Sequence, residues 1–115
     1  MRFAFAVLFS LILTGCATGA IKRKAVLINA GDSKETVMTT LGTPEDRQFK
    51  GGREAWQYCE TGGVGDYYTV IWFSDGKVSG SSNYSRSDII GPCSAGFNRV
   101  NFEEAPDMTV EVRKR

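Results

Sequence analysis

The chain has 115 residues, with 14 Lys plus Arg, 13 Asp plus Glu, no His, three Cys and 42% hydrophobic content, so it holds one domain at most beyond any export segment. A formal charge of +1, with basic residues spread along the chain, lacks the Lys and Arg excess that phosphate neutralisation requires and argues against nucleic acid. Without His, the commonest general base and the commonest metal ligand are both missing, so the composition points away from an enzyme, a cofactor or a small-molecule substrate.

Arg2 precedes an apolar run, Phe3 to Leu13, of 11 residues interrupted only by Ser10, shorter than the roughly 20 needed to span a bilayer. The pattern predicts an export signal over residues 1–15. At its end Leu13-Thr14-Gly15-Cys16 resembles the bacterial lipobox, in which signal peptidase II cuts before a cysteine that carries diacylglycerol on its sulfur. The competing readings are an ordinary secretory cleavage site, giving a soluble periplasmic protein, and an uncleaved membrane helix. Acyl chains on Cys16 would tether the protein to a membrane, because each buried methylene contributes about 0.8 kcal/mol. Ala17 and Thr18 follow the cysteine, and neither is the Asp of inner-membrane retention, so the resemblance implies delivery to the periplasmic side of the outer membrane.

Residues 16–26 read as a lipidated tether and residues 27–115 as a single domain. The basic triplet Lys22-Arg23-Lys24 reads as solvated linker, with contact to anionic lipid as the sharper alternative. The apolar tetrad Ala25-Val26-Leu27-Ile28 is expected to pack on the domain. Over Gly31 to Pro44 both helix punctuation marks are present. Asp32 can cap, Glu35 can complete a capping box, Gly42 suits the end and Pro44 forbids continuation. The spacing predicts a helix of about ten residues with Val37, Met38 and Leu41 on its buried stripe.

Beyond Pro44 the period changes to two. Asp46 to Lys50 and Arg53 to Glu60 form a hairpin around Gly51-Gly52, with Trp56, Tyr58 and Glu60 on one face and Ala55, Gln57 and Cys59 on the other. Thr61 to Asp66 reads as a glycine-rich hairpin loop. Tyr67 to Phe73 is the next strand, and Ser74-Asp75-Gly76-Lys77 is a type I′ turn into Val78. The expected fold class is α+β, a short amino-terminal helical part packed on a three- to four-stranded antiparallel sheet.

From Leu27 to about Val78 the chain resembles the SmpA/OmlA (BamE-like) family of outer-membrane lipoproteins. The resemblance is carried by Ile28-Asn29-Ala30-Gly31-Asp32-Ser33-Lys34-Glu35-Thr36-Val37, by Leu41-Gly42-Thr43-Pro44, by Trp56 with Tyr58, and by Ile71-Trp72-Phe73-Ser74-Asp75-Gly76-Lys77-Val78. It covers about half of the mature chain. It implies helices against a three-stranded antiparallel sheet and a non-enzymatic role in outer-membrane protein assembly or envelope integrity, with β-barrel assembly components as partners. Cys59 and the stretch from Asn83 to Arg115 lie outside the family pattern.

Once Cys16 is acylated, Cys59 and Cys93 are an even pair in an oxidising compartment, which reads as one disulfide. Two buried free thiols are the alternative, and a zinc site lacks ligands. In the tail, Met108, Val110 and Val112 alternate with Thr109, Glu111 and Arg113, as in a half-buried edge strand that completes the sheet or leaves an edge for strand addition. On Tyr67 to Phe73 one phase holds Tyr68 and Trp72, and a single helical layer covers only one face of a sheet. The SmpA/OmlA resemblance implies that Ile71 and Phe73, in the other phase, are core positions, so Tyr68 and Trp72 are candidate partner-binding residues, unless the amino-terminal apolar segment or the tail folds over them. Three functions compete: an envelope lipoprotein acting through protein contacts, a periplasmic binding or inhibitor-like lipoprotein module of the same fold outside any assembly machine, and a small envelope hydrolase, for which the sequence supplies neither His nor an activated nucleophile.

Overall fold

The computed structural model describes residues 20–106. The export segment, Cys16 and the expected strand over Met108 to Val112 lie outside the described residues. The elements run α1 (Ala20–Ala25), α2 (Lys34–Leu41), β1 (Asp46–Lys50), β2 (Arg53–Thr61), β3 (Asp66–Ser74) and β4 (Lys77–Arg86), followed by short 3-10 turns at Cys93–Gly96 and Phe102–Glu104. The strands form one antiparallel sheet in the order β1-β2-β3-β4. The α+β class with helices on an antiparallel sheet is as expected.

The stretch read as tether is helical at α1, and Ile21 and Ala25, four residues apart, pack on the core together with Ile28. The apolar tetrad divides, because Val26 and Leu27 are 78% and 64% exposed. The cap of α2 also differs from expectation. Ser33, not Asp32, is the N-cap, its hydroxyl accepting from Thr36 N at 3.1 Å, while Asp32 Oδ2 accepts from Asn29 N at 2.8 Å. The reason lies in the sheet. Gly31 N donates to the Val78 carbonyl and Val78 N to the Asp32 carbonyl, so residues 31–33 are held beside the start of β4 and the helix begins one residue later. The helix has 8 residues and ends at Gly42, whose φ of 87° favours glycine and whose N–H returns to the Met38 carbonyl. Val37 and Leu41 are buried, but Met38 is 43% exposed, because so short a helix turns only a narrow i, i+4 stripe to the sheet.

The expected strand phases hold. Cα partners Tyr58↔Thr69, Trp56↔Ile71 and Glu54↔Phe73 face the helices, and Asp75 and Gly76, with φ of 51° and 84°, make the predicted turn. One strand was not expected at its full length. β4 runs 10 residues through Lys-Val-Ser-Gly-Ser-Ser-Asn-Tyr-Ser-Arg, a sequence with little strand propensity. It forms because β3 is buried on both faces and needs partners for its second row of backbone N–H and C=O groups. A register shift at Trp72/Phe73 accommodates Ser79.

Hydrophobic cores lie on both sides of the sheet. On the helix side Val37, Leu41, Trp56, Tyr58, Ile71, Phe73 and Val78 pack together. On the other side Ala55, Val70 and Trp72 are covered by Val100, Phe102 and Ala105. Among the described residues no helix is long and apolar enough to cross a membrane.

Candidate functional site

The second face of the sheet is closed by the segment after β4. Cys59 on β2 and Cys93 form a disulfide with a Cα separation of 6.0 Å. Tyr68, whose Cα faces Cys59, donates its hydroxyl to the Cys93 carbonyl at 2.8 Å. Its ring stacks on Tyr84 with centroids 4.6 Å apart and meets the edge of Phe97 at 5.4 Å. Gln57 is fully buried. Its amide donates to Asp46 Oδ2 and to the Asn98 carbonyl, and its carbonyl oxygen accepts from the Tyr84 hydroxyl, which in turn accepts from Asn98 N. Gln48 extends the same pattern, donating to the Asn98 carbonyl and accepting from Val100 N. The chain from Phe97 to Phe102 is thus laid across β1, β2 and β4 by side chains that satisfy its backbone.

Tyr68 and Trp72 do occupy the face opposite the helices, as their phase requires, but they do not present an open aromatic surface. Tyr68 is fully buried and Trp72 is 5% exposed, its indole N–H donating to Ser82 Oγ and its ring meeting Phe102 edge-on. The assignment of these two residues to partner binding is corrected accordingly. Burial pushes the Tyr68 hydroxyl above its ordinary pKa, with Asp66 adding to the rise, and burial does the same at Tyr84 and Tyr58. All three phenols act as neutral hydrogen-bonding struts, Tyr58 donating to the Gly42 carbonyl at the end of α2.

On the helix side the buried carboxylate of Glu54 ties three elements. Lys34 on α2, Arg47 on β1 and the Trp56 indole N–H all donate to it. Burial alone would raise its pKa, but these three donors outweigh it and hold Glu54 below the usual carboxylate range. A carboxylate held in this way is a clamp between α2, β1 and β2. Glu60 ties α1 to β2 through one oxygen, Oε1 accepting from Ile21 N at 3.0 Å while Oε2 is buried without a hydrogen bond among the described residues, and Lys22 Nζ stands 4.5 Å from the centre of the Tyr67 ring. Among the described residues no three His, Cys, Asp or Glu side chains are grouped to hold a metal ion.

Among the described residues, the outer edge of β4 is the feature left uncovered. Both outer strands of the sheet, β1 and β4, have one side without a partner strand among the described residues, but they differ. β1 has only 5 residues and carries Asp46, Arg47 and Lys50, the short charged form that resists pairing. β4 has no proline, and no charged residue stands between Lys77 and Arg86. Among the described residues its start alone is occupied, by the Ser33–Lys77 bridge and the hydrogen bonds of Val78 with Gly31 and Asp32. Clefts flank this edge on both faces. On the helix side one of about 300 Å³ is lined by Lys22, Tyr67, Asn83 and Ser85, and one of about 220 Å³ by Lys22, Val26, Ser81 and Asn83. On the other side a cleft of about 320 Å³ is lined by Ser82, Asn98, Arg99, Val100 and Glu104. An extended peptide paired to β4 would send alternate side chains into clefts on opposite faces.

The sequence singled out Cys59 and Cys93, which the fold brings together, and Tyr68 and Trp72, which it buries. The β4 edge escaped that reading, although a run of small polar residues free of charge and proline after a clear hairpin turn was its visible sign. Comparison of the chain with protein-family models, curated proteins and solved structures finds no match.

Proposed function

We propose that this chain is a non-enzymatic bacterial outer-membrane lipoprotein, anchored by acyl chains on Cys16, that supports outer-membrane protein assembly or envelope integrity through protein contacts. The observation that carries the reading is the β4 edge, an uncharged strand margin with clefts on both faces, which suits capture of an extended segment of an envelope protein. The lipobox at Cys16, a disulfide that requires an oxidising compartment, and the SmpA/OmlA-like order of motifs support the same location and class.

The test is genetic and biochemical. A strain lacking the protein should contain less folded outer-membrane barrel protein and admit vancomycin, and the wild-type chain should restore both. Cys16→Ser should remain unprocessed or leave the outer membrane and fail to restore them. Ser81→Lys with Asn83→Lys, which charges the exposed edge while leaving the melting temperature unchanged, should also fail. A deletion strain with normal barrel levels and normal exclusion of vancomycin would overturn the proposal. It would favour instead a binding or inhibitor-like module, the reading to which the disulfide-pinned segment after β4 lends support because it lies outside the family resemblance.

A further inference from the structure

We infer that the end of the sheet bearing the β2–β3 loop docks on the lipid surface, with the side chains of Val64 and Ile90 entering the bilayer beside the anchor. The inference rests on acylation of Cys16. Val64 and Ile90 are 86% and 97% exposed, more than any other large apolar side chain among the described residues. Both lie at one end. Val64 sits between Thr61 and Asp66, which close the β2–β3 ladder, and Asp66 faces Arg86, the last residue of β4, from which the chain leads on to Ile90. The Gly65 backbone approaches the Arg86 carbonyl so closely that a Cβ there would stand 2.9 Å from it, which holds the loop against the end of β4.

The anchor departs from the same end. Ile21 N at the start of α1 is held by Glu60, whose Cα partner is Tyr67, one step before the Thr61↔Asp66 pair. Cys16 precedes Ala20 by four residues, a reach of at most about 14 Å. An acylated Cys16 therefore keeps this end within a short distance of the headgroups, where Val64, set among Gly62, Gly63 and Gly65, can enter without carrying a polar side chain with it. The opposite end, marked by Phe49 with Glu54 as its Cα partner, lies about 23 Å away along β2. Docked in this way the strands stand on end, and the β4 edge faces the periplasm along its length.

The full-length lipidated protein, reconstituted in phosphatidylcholine vesicles with or without acyl chains brominated at mid-chain, tests the inference. Trp56 and Trp72 are 3% and 5% exposed and provide a constant background. Val64→Trp and Ile90→Trp should each add emission that is blue-shifted on the vesicles and at least halved by bromine. Phe49→Trp, at the far end and 62% exposed in its native form, should be insensitive. Protein that floats with the vesicles but shows no quenching at positions 64 and 90, or equal quenching at all three, overturns the docking and leaves the anchor standing. Protein that carries no acyl mass and fails to float overturns both.

Discussion

The Tyr68 hydroxyl donates to the carbonyl of Cys93 at 2.8 Å, and the Cα directly across the sheet from Tyr68 is that of Cys59, the disulfide partner of Cys93. One covalent bond and one hydrogen bond thus hold the same stretch of chain to neighbouring strands. This double attachment is what converts the second face of the sheet from a surface into a core.

Removing the disulfide should therefore destabilise without dissolving the fold. A bridge across a sequence separation of 34 constrains the unfolded chain by about 3 to 4 kcal/mol. Cys59→Ser with Cys93→Ser, measured by urea unfolding, should lose about that much. Tyr68→Phe in the oxidised protein should lose only about 1 kcal/mol, because the covalent link still holds the segment. A loss below 1 kcal/mol for the double serine variant would mean that packing by Phe102 and Val100 holds the segment by itself.

Gly80 on β4 should resist substitution. A Cβ there would lie 2.8 Å from both Cβ and Cγ of Pro106, so the strand has room for the segment only because this residue has no side chain. Gly80→Val should cost about 1 to 3 kcal/mol. It should also displace Pro106 from Gly80, and because Trp72 is the Cα partner of Gly80, a red shift in tryptophan emission should report it.

Acid should loosen the joint between α2, β1 and β2. The folded pKa of Glu54 lies below its ordinary 4.5, so the contribution of the carboxylate is present in full above that value and is lost as pH falls through the folded pKa. Glu54→Gln should lower stability near neutral pH by about 1 to 3 kcal/mol, since three donors lose a charged acceptor. The same variant should flatten the fall in melting temperature as pH drops below 4.5. Thermal unfolding from neutral pH into that acid range, wild type beside variant, checks both outcomes.

Tyr84→Phe separates packing from hydrogen bonding on the covered face. The ring stack with Tyr68 survives, whereas Gln57 Oε1 and Asn98 N lose their shared partner. Because Gln57 is fully buried, the expected cost is about 1 to 3 kcal/mol. Faster amide exchange at Asn98 should accompany it, and unchanged exchange there would assign Asn98 N another acceptor in solution.

Local patterns determined much of this protein. The change of hydrophobic period at Pro44, the turns at Gly51-Gly52 and Asp75-Gly76, and the alternation through Trp56 and Tyr58 specify two hairpins and the faces of their strands, because turn geometry and period two are properties of neighbouring residues. Cysteine parity and the apparent export signal likewise led to the disulfide between Cys59 and Cys93. The tertiary structure decided the rest. The first place in β4 to show no strand pattern, Ser79 to Asn83, is recruited by the unpaired backbone of β3, a demand that no short window of sequence contains. The cap of α2 moved from Asp32 to Ser33 because β4 captured residues 31–33. The candidate site moved for the same kind of reason. Tyr68 and Trp72 have the composition of an interface, but a segment some 25 residues or more further along the chain, bound through Cys93, Asn98 and Phe102, claims them for a core. Among the described residues the strand edge that this closure leaves uncovered is that of β4, since pairing across distant residues determines both which faces are buried and which backbone groups stay free.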